Sequence, residues 1–197
     1  MPPRALTEQE KDHQRLKLMA KARELVLAHG IRRVSVDDIV KPAGMAKGSF
    51  YHHFSSKEDL MMQLVWDIYQ NFVTQAQTVI MESAPEDLRQ NVGALIRAIL
   101  SEPDKVFFFN NHEELDSLIA SLNSKELRDF NTMEQRAFAG LITLAGRDVQ
   151  AVKPGVVHNL LHAIYMARSE MMMVEEDISE TFDILLRCCL QYIFGGV

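Results

Sequence analysis

Ser35-Val-Asp-Asp-Ile-Val-Lys-Pro-Ala-Gly-Met-Ala-Lys-Gly-Ser-Phe-Tyr-His-His-Phe54, followed by Ser-Ser-Lys-Glu-Asp-Leu60, is the stretch that decides the fold. Ser35 with Asp38 reads as the start of a short helix ending near Ala43-Gly44, and Gly44 can take the left-handed backbone that turns a chain sharply. A further segment then runs from about Ala46 to Phe54, and Ser55 with Glu58 opens a long helix. Two short helices hinged at a glycine and feeding a third are the build of a helix-turn-helix, a device that seats one helix in the DNA major groove.

Outward from this stretch, the whole chain reads as all-α. Upstream, Thr7 and Glu10 form a capping box, with apolar residues at Leu16, Met19, Ala20, Ala22, Leu25 and Val26 before Gly30. Downstream, Leu60, Leu64, Trp66, Ile68, Phe72 and Val73 extend the long helix towards Met81. Pro85 starts a segment through Leu100, Pro103 another containing Phe107 to Phe109, and Asn123 with Glu126 a helix towards Gly146. Pro154 opens a helix over 156–173, and Asp177 with Glu180 caps one over 178–194. Apart from the link Val34–Val36, no alternating strand pattern occurs.

Composition narrows the function classes. The 197 residues suffice for one or two domains with a substantial core. No apolar run reaches the roughly 20 residues of a membrane span. The first ten residues lack the apolar core of a signal peptide. Two adjacent cysteines, Cys188 and Cys189, do not staple a fold, so a reducing, cytoplasmic setting is expected. The net charge of −6 is unevenly spread: residues 1–60 carry 11 Lys and Arg against 8 Asp and Glu, the rest 10 against 19. Phosphate attraction depends on local potential within a Debye length of about 8–10 Å, so a basic end on an acidic body is compatible with DNA.

The run Gly30…Val34-Ser-Val-Asp-Asp-Ile39…Ala-Gly44-Met-Ala-Lys-Gly-Ser-Phe-Tyr-His-His-Phe54…Lys-Glu58-x-Leu60 resembles the N-terminal signature of TetR-family transcriptional repressors. The likeness spans roughly residues 10–62 without a gap. It implies a helix-turn-helix DNA-binding domain, placed at residues 1–55, and a helical ligand-binding and dimerisation domain at 56–197. It also implies release from a palindromic operator when a small hydrophobic effector binds. The remaining chain has no motif of comparable weight.

Within the signature, Ile39, Ala43, Phe50 and Phe54 have the spacing of a scaffold. Lys47 offers a cation, Gly48 close backbone approach, and Ser49 and Tyr51 hydroxyls for phosphates or base edges, with His52 and His53 beside them. Lys57, in the first turn of the next helix, adds a charge beside free backbone N–H groups. The resemblance assigns DNA contact to the positions of Ser35, Lys47, Gly48, Ser49, Tyr51, His52, His53 and Lys57. Two residues depart from the family pattern. Ala46 stands where the family has a capping Ser or Thr, and Pro42 disfavours helical geometry at Lys41.

In the body, Trp66, Tyr69, Phe72, Phe108, His112, Tyr165 and Met166 supply pliable apolar surface with polar tips, a candidate effector pocket that competes with an ordinary core reading. His158 and His162 stand four apart, and His112-Glu113-Glu114 forms a second cluster. Both are read as structural rather than metal-binding, since no thiolate motif or metalloprotease Glu accompanies them. No cofactor is implied, and no catalytic elbow, P-loop or dinucleotide fingerprint is present, so an enzyme is not expected. The excess apolar surface of residues 156–194 is expected to pair with a second copy, giving a homodimer. Two rival readings remain open: a helical small-molecule-binding protein without operator affinity, and a metal-dependent helical enzyme.

Overall fold

The computed structural model describes residues 7–100, 112–169 and 177–195. Every regular element among these is a helix: α1 Glu8–His29, α2 Val36–Val40, α3 Lys47–Phe50, α4 Lys57–Glu82, α5 Leu88–Leu100, α6 His112–Ala120, α7 Ser124–Leu144, α8 Pro154–Ser169 and α9 Ile178–Phe194. The segment around Phe107 to Phe109 and the end of the helix expected over 156–173 lie outside the described residues. None of the described helices is long and apolar enough to cross a membrane. The chain forms two compact units, Met1–Ile68 with Glu113–Ser121, and Tyr69–His112 with Leu122–Val197.

The first unit closes around Leu18, Met19, Ala22 and Val26 of α1, Ile39 and Val40 of α2, and Leu60, Met61 and Leu64 of α4, all buried. Ala43, Phe50 and Phe54 fill the centre, as their spacing predicts. Burying a side chain the size of Phe or Leu contributes roughly 1.5–3 kcal/mol, so these anchors hold the two short helices where propensity alone would not. Leu16, expected on the apolar face of α1, is instead 60 % exposed, and Leu18 takes the inward position. Ala20 is also exposed.

Both N-terminal capping boxes form. Thr7 accepts from the backbone of Glu10 while Glu10 returns a carboxylate to Thr7, and Ser35 and Asp38 do the same. At the head of α4 the frame is one residue later than expected. Ser56 Oγ accepts from Asp59 N (3.0 Å), and the Asp59 carboxylate accepts from Ser55 N (2.7 Å) and Ser55 Oγ (2.9 Å), so Asp59 replaces Glu58. Burial alone would raise the Asp59 pKa, but hydrogen bonds from Gln63 and Ser55, with the Arg15 charge, outweigh it and hold the group low.

Two further expectations are corrected. The segment from Ala46 is not one helix to Phe54: α3 stops at Phe50, and His52 N and His53 N donate to carbonyls three residues back, tightening the chain so that Phe54 returns to the core. Lys41 keeps helical dihedrals (φ −58°, ψ −56°) in front of Pro42, its N–H donating to Asp37 O at 3.2 Å as in a continuing helix, and the donor that proline lacks falls in the turn after α2. That turn closes through Gly44 at φ 68°, with Met45 N donating to Val40 O at 3.0 Å.

The second unit packs α5, α7, α8 and α9 around Ile96, Leu100, Phe138, Ile142, Val157, Ile164, Phe182 and Leu186. Gly93 lets α9 come close, since a Cβ there would stand 3.0 Å from Leu190 Cδ1. Arg97 pairs with Asp183 and lies 5.4 Å over the Phe182 ring. Asn123 caps α7 through Lys125 N (3.0 Å), as expected, whereas Asp177 makes no cap on α9. Its backbone is in the bridge region (φ −105°, ψ 0°) rather than extended, so the carboxylate does not reach the free N–H groups.

Candidate nucleic-acid interface

The four-residue α3 is positioned from below. Phe50 is fully buried, its ring 5.4 Å from Phe54 and edge-on to Tyr51 at 5.3 Å, so the opposite face of the turn is pushed outward. Lys47, Gly48 and Tyr51 are on that outer side, with Tyr51 53 % exposed. A Cβ at Gly48 would meet nothing within 4 Å, so the backbone there is open to close approach. His52 is exposed beside them. As the sequence predicts, the N-cap residue Ala46 supplies no side-chain acceptor.

Not every candidate faces outward equally. Ser49 is half-buried, and Ser35 is exposed but engaged with Asp38. His53 is half-buried with Nε2 3.1 Å from Gln14 Oε1 of α1. Burial first, then the charges of His52, Arg15 and Lys11, lower its pKa, so it favours the neutral ring. Lys57 donates to the carbonyl of Ile31 at 3.2 Å, bracing the turn that leaves α1. Lys47 Nζ lies 3.0 Å from Asp37 Oδ2, and that hydrogen bond, with the carboxylate charge, raises the lysine pKa.

Sequence reasoning missed the groups that support this surface. Arg15 hydrogen-bonds Gln63 and sits 5.9 Å over the Phe54 ring, tying α1 to α4. Glu114 of α6, read in the sequence only as part of a histidine-acid cluster, accepts from Ile31 N (2.6 Å) and Arg32 N (3.4 Å). Its carboxylate also abuts Gly30, whose φ of 84° excludes a side chain. Arg32 adds a bond to Ser117 Oγ at 3.1 Å. No local spacing signals a partner 83 residues away.

The candidate effector residues are dispersed. Tyr165 is buried in the second core, against which Tyr69 and Phe72 pack, with the Tyr69 ring 6.3 Å from Phe138. Tyr69 Oη donates to Glu134 O at 3.2 Å, and burial pushes both tyrosine pKa values well up. Trp66 is half-buried on α4 in the first unit. Phe108 and the side chains of His112 and Met166 lie outside the described residues. An open groove of about 490 Å³ is lined by Asn131, Thr132, Gln135, Arg136, Ala139 and Pro154, none of them in that set. His158 and His162 stack at 6.2 Å, and His158 Nδ1 pairs with Glu134 Oε1 at 3.3 Å. Among the described residues, no three metal-ligating side chains come together.

Residues 18–64, the segment that builds this surface, match the profile described as bacterial regulatory proteins, tetR family. Residues 18–64 carry a TetR-family DNA-binding domain. The chain is 26 % identical over 151 residues to the transcriptional repressor KstR2 of Rhodococcus jostii, covering 75 % of the chain and 72 % of that protein. Its fold is similar to that of a TetR-family transcriptional regulator from Streptomyces coelicolor (TM-score 0.65, 18 % identity, 92 % of this chain and 96 % of that one). It is also similar to the regulator FadR of Bacillus subtilis in complex with stearoyl-CoA (TM-score 0.59, 16 % identity, 92 % and 99 %). The matched segment is thus the DNA-binding domain of a transcriptional regulator.

Proposed function

We propose that Lys47, Gly48 and Tyr51 are the centre of the operator contact, with Ser35, Ser49, His52, His53 and Lys57 around them. The observation that carries this reading is the exposed strip on α3, a helix too short to serve as packing on both sides. Residues 1–55 are taken as the DNA-contacting domain and 56–197 as the effector and dimerisation domain. The start of α4 and residues 113–121 then act as support for the first.

In this reading the protein acts in the cytoplasm as a homodimer through residues 156–194. Val157, Ile164, Phe182, Leu186 and Cys189 are used up within one copy, which leaves Val156, Ile184 and Cys188 as exposed positions for the partner. A two-fold dimer sets its recognition helices about 34–36 Å apart and calls for a palindromic operator. A small hydrophobic effector favours a conformation in which that spacing is lost. It can shift DNA affinity only by its differential affinity for the two states, typically about 1–3 kcal/mol. Acyl-CoA thioesters and ketosteroids are the first effectors to try, from the stearoyl-CoA complex of FadR and the ketosteroid regulator KstR2.

The test is an anisotropy titration with DNA from upstream of the protein's own gene. Specific, salt-sensitive binding is expected, with Lys47→Ala and Tyr51→Ala weakening it by about 1–3 kcal/mol while dimerisation and Tm stay nearly unchanged. Wild-type affinity in both variants would show that the recognition surface is elsewhere.

A further inference from the structure

From Gly30 to Lys57 the sequence carries five cations, Arg32, Arg33, Lys41, Lys47 and Lys57, and only two carboxylates, Asp37 and Asp38. Asp38 is taken up by the α2 cap, where it accepts from Ser35 N at 3.0 Å and Ser35 Oγ. Asp37 does no such work within its own helix. Its Oδ2 reaches across to Lys47 Nζ at 3.0 Å, joining the first turn of α2 to the first residue of α3, with both side chains about half exposed (49 % and 53 %). A bare carboxylate on a DNA-facing surface repels phosphate, so by itself it weakens every complex the protein makes.

The backbone on either side of this pair is rigidly placed. Buried Ile39 and Val40 and the Ser35–Asp38 box fix α2, and buried Phe50 with the Gly44 turn fixes α3. The pair therefore draws the Lys47 ammonium toward Asp37 in the free protein. A lysine on its flexible four-carbon stem would otherwise follow any phosphate within reach, and such contacts supply nearly all non-specific affinity. The ammonium has three donors; with one held by Asp37, two remain for acceptors such as guanine O6 and N7.

Resting on the DNA-binding reading above, we propose that Asp37 is a specificity-determining residue that tethers Lys47, so that the ammonium contributes fully only on a duplex whose acceptors coincide with its held position. Asp37 thereby restrains binding to unrelated DNA.

The experiment is an anisotropy titration, at several salt concentrations, of full-length wild type, Asp37→Asn, Lys47→Met and the double variant. Two duplexes of equal length and composition are used, one from upstream of the gene and one with its sequence scrambled. Asp37→Asn should tighten binding to the scrambled duplex by about 3–10-fold and steepen its salt dependence by about one ion, as expected for one more phosphate contact. Affinity for the upstream duplex should change less than about twofold or fall, so the ratio between the two duplexes drops. With Met at position 47, Asp37→Asn should leave the ratio where Lys47→Met put it. Equal tightening on both duplexes would reduce Asp37 to plain repulsion and overturn the proposal. No change on either duplex, or the same drop in ratio with Met at 47, would overturn it too. Asp37→Ser provides the same readout should Asn disturb the melting of α2. Wild-type protein that fails to separate the two duplexes would overturn the operator reading, and the proposal with it; the wild-type curves alone decide that point.

Discussion

Replacing Ala46 by Ser or Thr should stabilise the first unit by about 1 kcal/mol. Ala46 has the extended backbone of an N-cap (φ −79°, ψ 151°), and its carbonyl already accepts from Ser49 N at 2.9 Å, yet it has no side-chain oxygen. A hydroxyl there can accept from one of the free N–H groups at the head of α3, and the exposed position needs no repacking. A single cap matters more to a four-residue helix than to a long one, because almost all of its donors are terminal. A gain of 1 kcal/mol multiplies the folded-to-unfolded ratio about fivefold and raises Tm by about 2–4 °C in a chain of 150–250 residues. Urea titration followed by circular dichroism is the assay, with the midpoint rising at constant m. Ala46→Val has the shape of Thr without the acceptor and should gain nothing. If the Thr and Val variants melt together, or Thr melts lower, the argument that this helix lacks a cap is wrong.

Glu114→Ala should leave the amides of Ile31 and Arg32 without their acceptor. Since Ile31 is 5 % exposed, water does not replace the carboxylate there, and a loss of about 1–3 kcal/mol follows. Hydrogen exchange at Ile31 should accelerate about tenfold or more, and unchanged exchange would refute the role. The hydrogen bond to Glu134, opposed by burial, raises the His158 pKa above its ordinary value of 6.5. The stability this lends is therefore complete below the unfolded pKa and is lost as pH rises through the higher folded one. Glu134→Gln should flatten that dependence and lower the His158 titration midpoint read by NMR; an unmoved midpoint would exclude the pair as its cause.

Local rules read the first unit well because its signals are local. The boxes at Thr7 and Ser35, the Gly44 hinge, and the inward Ile39, Ala43, Phe50 and Phe54 all depend on neighbours within a few residues. At Ser55-Ser56 the spacing points to Glu58, but the shorter Asp59 carboxylate bonds both backbone and hydroxyl of Ser55 and moves the frame one residue later. Leu16 was misplaced because it neighbours Leu18 and Met19, and only the packed partner decides which of them turns inward. The Glu114 contact was illegible because the chain between its two ends carries no trace of it. Of the proposed interface, the residue types and their outward side were readable, whereas the engagement of Lys47 with Asp37 and of Lys57 with Ile31 required coordinates.

The peptide joining Ile31 to Arg32 has both poles claimed by opposite charges: its carbonyl by the Lys57 ammonium at 3.2 Å and its N–H by the Glu114 carboxylate at 3.4 Å. Rotating that plane by half a turn would face oxygen with anion and hydrogen with cation, exchanging two attractions for two repulsions. The joint between α1 and α2 is consequently keyed to one orientation of that peptide, and removing either charged arm should loosen it.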